Sequence, residues 1–338
     1  MRKFNFLLLC VVAGVVGSWS AANAQDAKLV DAAKKEGGKV VVYGSLENDT
    51  MDLISAAFKK KTGLEVDFWR DSANKVTDRV GAEFRAGKPQ ADVVLTTTST
   101  MQLAQKDGLL AKYDSPAIKT FPKNVIDPNL GPAYRSTVIG VVYNTGIIKP
   151  SEAPKSLEDL TKPQYRGKVV FPDPSQHTTT AQWLASLHRI MGVENANKFI
   201  HDFAATKPLL VPSLTPAGER ITTGETPIGV AFLKNVVFYG RNGVPLDYVR
   251  LGKFMGDGQS ITLAAKGPHA NAGKAFIDFF LGEESLKIMA NIGEFVTRKG
   301  IYPPLPDADK IQLVDMVEMD KKAFAEKMAE YKKIFLQN

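Results

Sequence analysis

The sequence predicts an α/β fold with helices layered on a largely parallel sheet, in a chain long enough for two domains. Three observations carry this. β-branched runs alternate with helical stripes from Lys39 onward, the connectors between them are short and polar, and 338 residues exceed what one ordinary core organises. No internal repeat or low-complexity segment interrupts the alternation.

"KVVVYGS" at 39–45 reads as a strand, and the next segment sets Met51, Ile54, Ala57 and Phe58 at helical spacing before Gly63 ends it. "LEVDFW" repeats the strand; Ser72 is placed to cap a helix whose stripe is Val76, Val80 and Phe84. "ADVVL" gives a third strand, with a helix expected from about Ser99, and "STVIGVVYN" a fourth. A proline-bearing connector, "TGIIKPSEAPKSLEDL", suits a passage between domains. Beyond it "GKVVFPDP" and "TPIGVAFL" read as strands. Helices are expected over "TTAQWLASLHRIMG", "NANKFIHDFAAT" and "AGKAFIDFFLGEESLKIMANIG". "TPAGERITTG" offers Thr215 as cap, Pro216 at the first helical position and Gly224 as stop.

The first 24 residues read as a secretory signal: Arg2 and Lys3, an apolar run, then "ANA" before a mature start near Gln25. No later run is apolar enough to anchor the chain in a membrane. Cys10 lies within the leader, so an exported mature chain without thiols is expected, its core unaided by disulfides. Without Arg2 and Lys3 the formal charge falls from +7 to about +5, and acids are interleaved with the bases, which argues against a nucleic-acid partner.

In open α/β sheets ligands collect at the carboxyl ends of strands, where helix N-termini point unpaired N–H groups outward. The three first-half strands end in "GSLEND", "WRDSANK" and "TTTST", which offer Ser45, Glu47, Arg70, Thr97 and Thr98. Ser99 with Gln102 fits a capping box, leaving Thr97 and Thr98 as surplus hydroxyls. A second cluster, "DPSQHTTTAQW", offers His177, Thr178 and Thr179, with Thr179 and Gln182 as another capping box. If the halves close like jaws the clusters face one another.

The runs "VTDRVGAEFRAGKPQADVVL", "KDGLLAKYDSPA", "GVVYNTGII", "APKSLEDLTKPQYRGKVVFPDP", "TTGETPIGVAF", "NGVPLDYV" and "AGKAFIDFFLGEESLKIMA" resemble the periplasmic solute-binding proteins of bacterial ABC importers. The resemblance is to the branch of ferric-ion binders and their relatives for phosphorylated or other small anionic solutes. It implies a two-lobed periplasmic-binding-protein fold with hinge strands and an interlobe ligand cleft. It also implies a periplasmic location, a membrane permease as partner, and no cofactor. The first lobe is expected at 26–136 plus 255–300, and the second at 137–254 plus the tail 301–338. A monomer is expected.

Ferric binders of this family hold the metal through adjacent tyrosines just after the strand matching "IGVAF". Here that place reads "AFLKNVVFYG", with Leu233 and Lys234 in the tyrosine register. A lysine repels a trivalent cation and attracts an anion, so a small phosphorylated or carboxylated solute is expected, held by Lys234, Arg70 and the hydroxyls. Iron(III) is the alternative and would need Tyr239. Trp69 and Phe232 could flank an organic part, whereas Tyr143 and Tyr248 read as packing residues. His177 has no metal-ligand spacing around it. No nucleophile elbow, phosphate loop, dinucleotide fingerprint or zinc-protease motif occurs, so no enzyme is expected, an exported hydrolase being the remote alternative.

Overall fold

The computed structural model describes residues 27–337. The signal segment 1–24, the expected start near Gln25 and Cys10 lie outside the described residues. Among those described, no helix is long and apolar enough to cross a membrane.

Eight strands form the spine of the sheet: β1 (Lys39–Gly44), β2 (Glu65–Arg70), β3 (Val93–Thr97), β4 (Gly131–Asn144), β5 (Val169–Pro172), β6 (Leu209–Val211), β7 (Ile228–Phe232) and β8 (Lys253–Ala264). Their order across the sheet is β2-β1-β3-β8-β4-β7-β5-β6. β1 pairs parallel with β2 and β3, and β5 parallel with β6 and β7. β8 runs antiparallel to β3 and β4, and β4 antiparallel to β7. The expectation of a largely parallel sheet is thus corrected: two parallel wings flank an antiparallel centre. The centre is antiparallel because β4 and β8 are long strands that pass from one wing to the other in opposite directions. β8 escaped the sequence reading because Gly256 and Gly258 interrupt its apolar alternation.

The helices cover both wings: α1 (Asn48–Thr62), α2 (Ala73–Arg85), α3 (Thr98–Lys106), α4 (Thr178–Ser186), α5 (Val193–Ala205), α6 (Leu214–Thr223), α7 (Lys234–Gly240), α8 (Ala270–Phe280), α9 (Glu283–Asn291) and α10 (Lys321–Leu336). One core gathers Val42, Ile54, Phe58, Leu95 and Tyr134 with Phe276 and Phe280 from late in the chain. Phe58 meets Phe276 edge-on at 5.3 Å, and Tyr134 meets Phe280 at 4.8 Å. Another gathers Ile139, Val141, Phe171, Trp183, Phe203 and Met255 with Tyr331 of α10. Fully burying such side chains stabilises by about 1.5–3 kcal/mol each. β4 therefore gives Tyr134 to one core and Ile139 and Val141 to the other.

Several expected caps are corrected. α3 begins at Thr98, one residue early, with Thr97 at the N-cap, so Ser99 lies inside the helix and Gln102 instead donates to Asp127 Oδ2 at 3.0 Å. β3 continues to Thr97 and draws the helix start with it. Ser72 occupies the N-cap of α2 without a side-chain capping bond. α6 starts at Leu214 after Ser213, which puts Thr215 within its first turn; Gly224 does end it, in the left-handed conformation. At α4 the cap is His177, whose Nδ1 accepts from the Thr180 amide at 3.3 Å, so Thr179 does not cap.

Candidate functional site

Partners directly opposite one another in adjacent strands share a face of the sheet, and successive residues alternate faces. Ile139 opposes both Met255 and Phe232, on the face covered by the Trp183 core. Two residues back along β4, Thr137 opposes Asp257, and two further Arg135 opposes Gln259, itself opposite Thr97 of β3. Beyond those lie Leu95 and Ile261, in the Phe58 core. On this one face, Arg135, Thr137, Asp257, Gln259 and Thr97 thus form a polar belt between two apolar cores.

An ion network stands on the belt. Lys234, at the start of α7, donates from Nζ to Glu47 Oε1 at 2.7 Å and Glu294 Oε1 at 3.0 Å. Arg135 Nη1 meets Glu47 Oε2 at 3.2 Å and Glu294 Oε1 at 2.6 Å. The four come from the tip of β1, the middle of β4, the turn after β7, and the turn before the short strand Phe295–Val296, which lies beside Arg135 and Ser136. Gly293 makes this approach possible: its φ is +100°, and a Cβ there would lie 2.9 Å from the Lys234 carbonyl oxygen.

Burial disfavours the Glu47 carboxylate, but Arg135 and Lys234 outweigh it and hold the group well below the usual carboxyl range. Burial likewise disfavours the Arg135 cation, and Glu294 and Glu47 overcome it, raising its pKa. Asp257 behaves oppositely. Burial and then Asp315 push its carboxyl up to about 7, against the pull of Arg135. Its carboxyl makes no hydrogen bond or ion pair with a described residue. Two buried polar atoms beside the network also have no partner among the described residues: Arg135 Nε and the Tyr134 hydroxyl, which burial raises to about 12.

Of the residues expected from sequence, Glu47 and Lys234 are brought together in the network. Ser45 shares a hydrogen bond of 2.9 Å with Thr96, Thr97 donates to Thr100 at 2.7 Å, and Thr98 pairs with Ser260 of β8 at 2.8 Å. Those hydroxyls pin β1, β3, α3 and β8 together, so Thr97 and Thr98 are not a surplus. Arg70 is exposed at the edge strand and joins no ion pair with Glu47, whose partners are Arg135 and Lys234; Asp71 pairs with Lys75. Thr178 is exposed and Thr179 half-buried in the first turn of α4, and His177 is occupied as a cap, its pKa lowered by burial. Lys234 Nζ stands 5.8 Å over the Phe232 ring, whereas Trp69 packs edge-on against Tyr43 under the Arg79 guanidinium. Tyr143 and Tyr248 are buried and donate to Asp247 Oδ2 and the Pro306 carbonyl.

Tyr239 lies five residues past Lys234, about 140° around the helix at ~100° per residue. Its ring lies beside α6: a Cβ on Gly218 would meet Tyr239 at 3.9 Å. Among the described residues no group of three or more His, Cys, Asp or Glu is set to hold a metal.

Sequence reasoning missed Arg135, Glu294 and Asp257. The available signal was a lone charge inside an apolar run, as in "AYRSTVIGVV", "NIGEFV" and "FMGDGQSIT". Charged residues enter such runs when a partner or a ligand holds them.

The family described as bacterial extracellular solute-binding protein matches residues 39–293. An uncharacterized protein of Haemophilus influenzae is 27% identical over 331 residues, covering 93% of this chain and 92% of that protein. Iron uptake protein A1 of Synechocystis is 28% identical over 239 residues, 67% of this chain and 63% of its own length. Among solved structures, the periplasmic binding protein AfuA from Actinobacillus pleuropneumoniae, with exogenous fructose-6-phosphate bound, shares the fold. Its TM-score is 0.66 at 22% identity, and the match covers 89% of this chain and 97% of that one.

Proposed function

The chain belongs to the bacterial extracellular solute-binding proteins, and on that premise we propose that it captures a small acidic solute between two lobes and delivers it to the membrane permease of an ABC importer. Residues 1–24 direct it to the periplasm, where it works as a monomer and without catalysis. The first lobe is 26–136 plus 255–300 and the second 137–254 plus 301–338. The composition of the two cores supports that division, since one draws on both early and late segments while the other draws on the middle and the tail.

One observation carries the choice of an acidic solute: Arg135 and Lys234 converge on the polar belt between the cores. A carboxylate, phosphate or phosphonate entering there exchanges its own oxygens for those of Glu47 and Glu294. Charge-assisted bonds to guanidinium and ammonium supply the affinity. Ser45, Thr97, Thr98, Arg70, His177, Thr178 and Thr179 then border the site, with Glu47 and Lys234 within it.

A second reading, iron(III) as cargo, draws on the relative named for iron uptake and within this chain on Tyr239. The cation at Lys234 and the position of Tyr239 beside α6 argue against it.

Mass spectrometry of the mature protein purified under native conditions, followed by calorimetry with what it retains, tests both. A retained organic acid of micromolar or tighter affinity is the expected result. A tightly held ferric ion with a visible phenolate absorption band overturns the anion reading, and turnover of the retained solute overturns the binding role.

A further inference from the structure

Asp257 has no use in the network just described, and that sets it apart. It lies on the belt face, opposite Thr137 and two residues from Gln259, between the two cores. Glycines flank it for a local reason. A Cβ at Gly256 would come within 2.0 Å of Ser136 Oγ, and one at Gly258 within 3.1 Å of Thr98 Oγ1. Both neighbours therefore press β8 tightly against β4 and α3. The strand is fixed, and its one half-buried acid is held facing the belt.

The Asp257 carboxyl is half-buried with no hydrogen-bond partner among the described residues, and burial works against its charged form. The charged groups acting on it are Asp315, from the strand Gln312–Asp315 beside β8, and Arg135, from β4. Arg135 is already shared by Glu47 and Glu294, so it leaves Asp257 without a direct ion pair. On the same face, Arg135 Nε also lacks a hydrogen-bond partner among the described residues. The belt thus holds an unmatched acceptor, Asp257, and an unmatched donor, Arg135 Nε. A plain acid satisfies the donor and leaves Asp257 unmet, or repels it once it ionises. An acid that also carries a donor satisfies both.

Resting on the solute-binding reading above, we infer that Asp257 is a ligand-contacting, specificity-determining residue that accepts a hydrogen bond from a hydroxyl or ammonium group next to the solute's acid. The solute class is then a short acid bearing a donor a few atoms from the acid, in preference to a bare oxyanion.

Matched probes separate this from the underlying reading: ethylphosphonate, 2-hydroxyethylphosphonate and 2-aminoethylphosphonate, and in parallel propionate, 3-hydroxypropionate and β-alanine. Calorimetry on the mature protein at pH 8 should show at least one donor-bearing probe binding about tenfold or more tighter than its bare counterpart, the worth of one hydrogen bond to a charged group. Asp257→Asn keeps a carbonyl acceptor but loses the charge. A hydroxyl ligand then weakens only a few-fold, whereas an ammonium ligand loses most of its advantage. Equal binding across a probe series, or an advantage that Asp257→Asn leaves intact, overturns the role of Asp257 while leaving the acid site standing. Failure of all six probes to bind overturns the acid reading and this inference with it.

Discussion

At the residue scale, Lys234 and Asp257 lead to different predictions. Lys234 is shared by two glutamates, so removing it strips a cation from the proposed site and leaves Glu47 with Arg135 alone. Lys234→Ala should weaken binding of the retained acid about tenfold or more by calorimetry; unchanged affinity removes Lys234 from the site. The same variant should be less stable at neutral pH but lose less of its stability on acidification, as urea melts at pH 7 and pH 3 would show. The depressed Glu47 carboxyl stabilises the fold above the unfolded carboxyl range, and this is lost as pH falls through its folded value, which rises without Lys234.

For Asp257 the sign reverses. Its folded carboxyl titrates at about 7, against about 3.9 in an unfolded chain. The stability owed to the neutral form is complete below the lower value and lost as pH rises through the higher. Asp257→Asn should therefore raise stability at pH 8 by about 1–2 kcal/mol, allowing for partial solvation, and change it little at pH 4. Urea melts at the two pH values check this. Equal shifts at both would show that the carboxyl is not perturbed. Glu47 and Lys234 were legible because they stand at strand ends, where α/β ligands gather. Arg135, Glu294 and Asp257 were not, because their shared face depends on register between strands far apart in sequence.

At the scale of elements, the turn Asn291–Glu294 and the start of α7 meet where a side chain has no room. Gly293→Ala puts a Cβ against the Lys234 carbonyl oxygen, which as backbone cannot turn aside, and imposes a positive φ on alanine. A loss of about 1–3 kcal/mol is expected in chemical denaturation, together with weaker solute binding, since Glu294 and Lys234 are displaced. The cap of α4 gives a gentler test. His177→Ala removes an acceptor for the Thr180 amide and should cost about 1 kcal/mol, with His177→Asn recovering most of it. Most helices and strands were legible from periodicity, since apolar stripes report burial directly, but β6, β8, α7 and α10 were not. Helix starts were less legible. At α3 and α6 the preceding segment moved the first turn by a residue or two, and at α4 a histidine capped in place of the expected threonine.

Taken whole, the molecule rests on two strands that belong to both cores, and the ion network ties residues of early, middle and late sequence across the proposed cleft. The Glu47 side chain is 40% exposed, so its pairs add little net stability. Glu47→Gln should therefore loosen the contact between the proposed lobes more than it unfolds the protein. Small-angle scattering should show a larger radius of gyration for the variant than for wild type without solute, and the two should converge when solute is bound. Identical curves for the unliganded pair would show that Glu47 does not hold the lobes together.

The amino-acid sequence by itself determined the α/β class, the order of most elements, the family resemblance and the cation, Lys234, that follows the strand "IGVAF". Each of these follows from local pattern, because burial and turn chemistry are written residue by residue. Tertiary structure alone decided that the sheet centre is antiparallel, that the threonines of "TTTST" bind their neighbours, and that Lys234 shares two glutamates with Arg135. Those depend on register and on which distant segments lie side by side, where one residue of slip would turn every side chain of the belt to the opposite face.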